Sequence, residues 1–184
     1  MNNNKTEIRY WQCVTYPKLT RNWELPADAV IIDFGCGNGI YTGALSNAFP
    51  QGYIYAVDND AYMLEEAERN NHTARNIEYV PSLDEVKEKA DLVVLYDIIH
   101  DLIRDEETFL KVCGYVKQGG TLSIAPFHMD HHDITPIIIK LSGLGYMLVD
   151  ELHDASVHFG RYADNDEVPF EDYERGNIYN FIKM

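Results

Sequence analysis

The stretch VIIDFGCGNGIYT, residues 30–42, decides the fold. An apolar run of strand character closes on Asp33 and breaks into glycines at 35, 37 and 39; helical spacing then resumes through Ala44, Leu45 and Phe49 until Pro50 stops it. A strand that passes through such a turn into a helix aims backbone N–H groups and the positive helix end at whatever lies beyond, so the turn receives anions or dipoles. Two common receptors are excluded. A dinucleotide fingerprint needs G-x-G-x-x-G, and neither Ile40 nor Thr42 supplies its third glycine; the Lys-Ser or Lys-Thr pair of a phosphate-binding loop is absent too. Asp33 would also repel a pyrophosphate.

Working outward, apolar runs rich in Val, Ile, Leu and Tyr recur, each followed by helical spacing, which predicts a parallel sheet covered by helices. Strands are expected at residues 29–34, 52–58, 76–80, 91–97 and 121–127. The fourth, DLVVLYD, is nearly all apolar and belongs at the centre of the sheet. Asp60 is placed to cap the helix AYMLEEAERNN, a short helix is expected over 82–89, and DEETFLKVCGYV reads as a helix ending at KQGG. Later, Thr135 and Pro136 form an N-cap and N1 pair for PIIIKLSGL. YMLVDEL and NIYNFIKM then follow as two strands with no helix between them, only a polar connection over 155–176, so they should pair antiparallel. The first 28 residues carry Tyr10, Trp11, Tyr16 and Trp23, with Pro17 and Pro26 against any long helix; this arm either covers a sheet edge or closes over a pocket.

The chain has 184 residues, 46% of them apolar, enough for one core and too few for two ordinary domains. It divides into the arm (1–28), a binding core (29–127) and a substrate-side helix with a terminal hairpin (128–184). No apolar run approaches the roughly 20 residues of a bilayer span, and the start has no leader pattern, so a soluble, cytoplasmic protein is expected. Three cysteines without a CxxC pair fit a reducing compartment. A net charge of −15 argues against nucleic acid and membrane partners; it serves solubility alone or favours a neutral or cationic substrate.

Asp33 makes sense beside a cationic group, such as an α-ammonium whose carboxylate lies along the glycine backbone. Asp58, nineteen residues after Gly39, ends the second strand, where an acid accepts both hydroxyls of a ribose. A ribose without a pyrophosphate, joined to an amino acid, is S-adenosylmethionine.

VIIDFGCGNGIYT, YIYAVDND, DLVVLYDIIHDL and VKQGGTLSIA resemble, in order, the cofactor-binding segments of class I S-adenosylmethionine-dependent methyltransferases, most nearly the small-molecule type related to the ubiquinone/menaquinone-biosynthesis methyltransferases. The resemblance runs over about residues 29–127. It implies a doubly wound, mostly parallel seven-stranded α/β sheet with an antiparallel last strand, and methyl transfer to a small-molecule acceptor with release of S-adenosylhomocysteine by a monomer or homodimer. The alternative is a non-catalytic cofactor- or partner-binding protein of the same fold. Carried over by residue, Gly35, Cys36, Gly37 and Gly39 would pack on the methionine moiety and Asp33 would reach its ammonium through water. Asp58 would hold the ribose, Asn59 would lie beside the adenine, Ser82 and Leu83 would contact its ring, and Tyr96 would border the cofactor. Relatives often carry an aspartate just after the third strand for the adenine amino group; this chain reads VPSLDEV, so Ser82 or Asp84 would substitute.

The crevice of an open α/β sheet lies beyond the carboxyl ends of its strands, so the methyl group should face residues after strands four and five. These are Tyr96, Asp97, His100 and Asp101, then Phe127, His128, Asp130, His131, His132 and Asp133. Alignment and desolvation should supply much of the acceleration; a base is needed only if the acceptor must lose a proton. His100 and His128, with Asp97, are the candidates for that task. HMDHHD invites a metal reading, but a polar loop before a helix explains it as well and no ligand spacing is present, so no metal is expected.

Overall fold

The computed structural model describes residues 10–126, 134–158 and 174–184. A π-helical turn (Trp11–Thr15) and helix α1 (Tyr16–Asn22) precede strand β1 (Val30–Phe34), which the glycine turn joins to α2 (Ile40–Ala48). Then come β2 (Tyr53–Val57), α3 (Ala61–Asn70), β3 (Ile77–Val80), a 3-10 turn (Leu83–Glu85), β4 (Ala90–Tyr96) and the single-turn α4 (Ile99–Leu102). The chain continues through α5 (Glu106–Tyr115), β5 (Val116–Ala125), α6 (Thr135–Gly143), β6 (Tyr146–His158) and β7 (Glu174–Lys183). The strands form one seven-stranded sheet, ordered β3-β2-β1-β4-β5-β7-β6, in which only β7 runs against its neighbours. The expected α/β doubly wound sheet with an antiparallel last strand is thus present. The chain leaves β1 outward through β2 and β3, then returns to β4 on the other side of β1. The crevice between the β1 and β4 loops is therefore the switch point of the sheet.

Period-two alternation sends neighbouring side chains to opposite faces, and both faces are covered. Val30 and Ile32 of β1 and Val93 and Leu95 of β4 face a layer holding Leu102, Phe109, Val112, Ile137 and Leu141 from α4, α5 and α6. Ile31 of β1 and Leu92, Val94 and Tyr96 of β4 face Tyr16, Leu19 and Trp23 from the N-terminal segment and Tyr41, Ala44 and Leu45 from α2.

The described part of the N-terminal arm therefore covers a sheet face through Tyr16, Leu19 and Trp23 and also reaches the edge strand β6. Trp23 stacks on Phe49 at a centroid distance of 6.2 Å and donates its indole N–H to Asn180 Oδ1 at 3.3 Å. Tyr10 and Thr15 donate their hydroxyls to the β6 carbonyls of Asp154 and Ala155. Pro17 does not break α1, because it sits in the first turn where a missing N–H has no intrahelical partner to lose.

Other boundaries move for identifiable reasons. KQGG lies inside β5, not at the end of a helix: Val116 already pairs with Ala90, and the register shift between Ala90 and Leu92 is absorbed beside Gly119, at φ +76°. Thr135 is the first helical residue, Ile134 takes the cap position, and no side chain caps that end. Strand β6 also runs past Ala155 to His158, pairing with β7 as far as Glu174, so the polar connection is shorter than its composition suggests. Asp60 caps α3 as expected, accepting from Tyr62 N at 2.9 Å.

Candidate functional site

The loop after β1 is held by the strand beside it. The N–H groups of Gly35 and Cys36 both donate to Val57 O, at 2.8 and 3.1 Å, and Gly39 N donates back to Cys36 O at 2.9 Å. All three glycines have positive φ: +74° at Gly35, +51° at Gly37 and +79° at Gly39. Their surroundings differ. A Cβ on Gly39 would stand 2.6 Å from Asn71 Nδ2 and 2.8 Å from Ala67 Cβ, and one on Gly35 would stand 2.8 Å from Ile98 Cγ1. At Gly37 nothing lies within 4 Å. Two glycines thus admit the protein's own chain and only the middle one faces open space. Gly39 is the N-cap of α2 and has no side chain to cap it, which leaves that helix end without a side-chain cap of its own.

Asp58 directly follows β2 and ties the two loops together. Its Oδ2 accepts from Gly37 N at 2.8 Å and its Oδ1 from Asp60 N at 2.9 Å. A carboxylate has about four acceptor directions, so both oxygens retain capacity for a pair of hydroxyls. Asp33, only 1% exposed, lies beneath the loop and accepts from the Thr42 hydroxyl at 2.5 Å. Burial pushes its carboxyl up to about 7; the Thr42 hydrogen bond opposes that shift and the charge on Asp58 adds to it. Burial also pushes the Cys36 thiol well above its ordinary range, which leaves Cys36 a packing residue of the loop.

A cavity of about 270 Å³ opens beside this loop, lined by Phe34, Gly35, Val57, Asp58, Asn59, Pro81, Ser82, Leu83, Ile98, Thr108 and Lys111. Of the residues singled out from sequence, Gly35, Asp58, Asn59, Ser82 and Leu83 come together around it. Cys36, Gly37 and Gly39 belong to the loop beside it, and Asp33 lies under that loop. Tyr96 does not line it: the side chain is 2% exposed, shares a hydrogen bond with Ser123 at 2.9 Å and meets the edge of Tyr41 at 5.5 Å. Asp97 follows β4 directly with φ +60°, a backbone position uncommon for a residue with a side chain. His100 opens onto Asp101, Nε2 to Oδ2 3.4 Å, from the single turn of α4; neither Asp97 nor His100 is among the cavity's lining residues. His128 and its neighbours Phe127, Asp130, His131, His132 and Asp133 lie outside the described residues.

Beside the apolar Phe34, Val57, Pro81 and Ile98, Thr108 and Lys111 on α5 are the polar lining residues that sequence reasoning missed. They sit in no motif, and only the fold carries α5 to the loop after β3. Of the two candidates for the adenine amino group, Ser82 already accepts from Asp84 N at 3.2 Å, and Asp84 is held by Lys111 Nζ at 2.6 Å.

The residues present fit an adenosyl amino acid. The site offers a loop with open space at Gly37, the uncapped start of α2, a carboxylate with remaining acceptor capacity after β2 and apolar lining at Leu83 and Ile98. The comparisons with known proteins agree. A malonyl-[acyl-carrier protein] O-methyltransferase from Halalkalibacterium halodurans is 31% identical over 125 residues, covering 62% of this chain and 46% of that protein. A trans-aconitate 2-methyltransferase from Pseudomonas paraeruginosa is 31% identical over 97 residues, covering 50% of this chain and 34% of that protein. The chain thus spans about half or less of the length of these relatives. Among solved structures, a SAM-dependent methyltransferase from Aquifex aeolicus superposes with TM-score 0.68 at 17% identity, over 95% of this chain and 93% of that one, and so shares the fold. The model of the methyltransferase domain family matches residues 32–124, from within β1 almost to the end of β5. That segment is half of the chain and contains the glycine loop, Asp58 and every lining residue of the cavity, and this chain accordingly belongs to the methyltransferase domain family.

Proposed function

We propose that the chain transfers a methyl group from S-adenosylmethionine to a small-molecule acceptor and releases S-adenosylhomocysteine. The observation that carries this reading is the bridge from Asp58 to Gly37 N at 2.8 Å, which presents one carboxylate to a ribose and holds the glycine loop open beside it. In this reading Asp58 holds the ribose hydroxyls, the first N–H groups of α2 meet the amino-acid carboxylate and Asp33, beneath the loop, reaches the ammonium through water. Leu83 and Ile98 enclose the purine, with Asn59 and Ser82 at its border. When bound, S-adenosylmethionine supplies an electrophilic methyl on a sulfonium. The acceptor would take that methyl as the carbon–sulfur bond opens, and where the attacking atom carries a proton it would pass to a base that follows β4 or β5. His100 and Asp97 are the described candidates, and His128 is the candidate on the β5 side.

Small acceptors are supported by relatives named for malonyl-[acyl-carrier protein] and trans-aconitate. A cytoplasmic setting is supported by Cys13, Cys36 and Cys113, all of them free thiols. The acidic net charge of −15 supports a reaction away from nucleic acid; the chain would act as a monomer or a homodimer. The test is incubation with methyl-labelled S-adenosylmethionine and a panel of small acceptors that includes carboxylic acids, followed by measurement of label in product and of S-adenosylhomocysteine. Equal amounts of both support the reading. Tight cofactor binding with no transfer to any acceptor would favour the non-catalytic alternative.

A further inference from the structure

We infer that helix α5 reads the adenine edge, through Thr108 as acceptor and Lys111 as donor, in place of a carboxylate on the loop after β3. The inference rests on the proposed cofactor and concerns which residues recognise its base.

Thr108 and Lys111 are three apart on α5 and therefore share a face, and both line the cavity with Asp58, Asn59, Ser82 and Leu83. Their hydrogen-bonding roles are set by neighbours outside the cavity. The Thr108 hydroxyl gives its proton to Asp105 Oδ2 at 2.7 Å, and Thr108 N is fixed by Asp105 Oδ1 at 3.1 Å. With its proton committed, that oxygen can only accept. Lys111 spends one donor on Asp84 Oδ1 at 2.6 Å, and an ammonium has three. The Asp84 carboxylate is thereby drawn to the lysine, and Asp84 itself is not a lining residue. The Ser82 oxygen receives Asp84 N at 3.2 Å, which leaves its hydroxyl proton as the group to offer.

Along the edge that carries its amino group, adenine offers a donor next to a ring-nitrogen acceptor. An accept-only hydroxyl beside an ammonium is the complement of that pair. A 6-oxo purine reverses both groups, with a carbonyl in place of the amino group and a proton on the adjacent ring nitrogen. It would meet acceptor with acceptor at Thr108 and donor with donor at Lys111.

The experiment is calorimetric titration of the full chain with S-adenosylhomocysteine and with S-inosylhomocysteine, its 6-oxo counterpart. The unsubstituted chain should bind the adenine form at least about tenfold more tightly, the scale of one well-placed bidentate base contact. Thr108→Val, nearly isosteric, should lower that ratio several-fold. Lys111→Met should do the same when paired with Asp84→Asn, so that the loop carboxylate is not freed to take the amino group. Unchanged ratios in both variants, with S-adenosylhomocysteine still bound, would overturn this inference alone. Absence of binding to either thioether by the unsubstituted chain would overturn the cofactor reading and this inference with it.

Discussion

Among the described carboxyl groups, Asp33 is the one that burial raises furthest from its ordinary range. Its folded value of about 7 exceeds the ordinary 3.8, so the stability it contributes is fully present below 3.8 and is lost as pH rises through 7. Among the groups around it, Asp58 adds a like charge and the Thr42 hydroxyl donates to it, while a charged Asp33 in turn disfavours ionisation of Tyr16, Tyr96 and Cys36. Asp33→Asn should therefore flatten the pH dependence of the melting temperature between pH 5 and 8 and raise stability at pH 8 by on the order of a few kcal/mol. In the parent chain, S-adenosylmethionine affinity should rise as pH passes 7, because the ammonium then meets a carboxylate; Asp33→Asn should lose that rise. Melting curves that are flat in the parent over this range would contradict the assignment.

The glycines separate structural from ligand-facing demands at the same scale. Gly39→Ala drives a methyl into Asn71 and Ala67 at φ +79° and should cost about 2–4 kcal/mol in urea denaturation. Gly37→Ala bears only the left-handed backbone cost of about 1–2 kcal/mol, since nothing lies within 4 Å, and should fold while losing most cofactor affinity. From sequence the three positions are indistinguishable; what divides them is the approach of α3 and Ile98, which only the fold supplies.

At the scale of elements, α1 and Trp23 form part of the core. Trp23 is 6% exposed, stacks on Phe49 and is joined through Asn180 to Asp150, which also accepts from Asn22 at 2.7 Å. Trp23→Ala should cost about 3–5 kcal/mol, read as a lower denaturation midpoint. A loss below 1 kcal/mol would mean that the segment rests loosely on the sheet. The aromatic content of this arm was legible, but not its target, because a face and an edge take the same side chains. β4 was legible because a strand buried on both faces cannot alternate. The extension of β5 through KQGG was not, because paired glycines mark a turn and a bulge alike.

At the scale of the whole molecule, the switch point between β1 and β4 brings the loops after β1, β2 and β3 to one crevice. That convergence is why a motif at residues 33–39 and an acid at 58 were legible as one site, each being the end of a strand. Thr108 and Lys111 were not, since they enter from a helix flank whose sequence spacing carries no such rule. The central claim is that this crevice holds an adenosyl amino acid with Asp58 as its ribose ligand. The most direct test is isothermal calorimetry of the purified chain with S-adenosylmethionine and S-adenosylhomocysteine, beside Asp58→Ala with its folding checked by circular dichroism. The account predicts binding of both ligands at micromolar strength and at least about a hundredfold loss in a folded Asp58→Ala, about 3 kcal/mol for the charged hydrogen bonds removed. No binding of either ligand to the parent, or unchanged affinity in the variant, would contradict it.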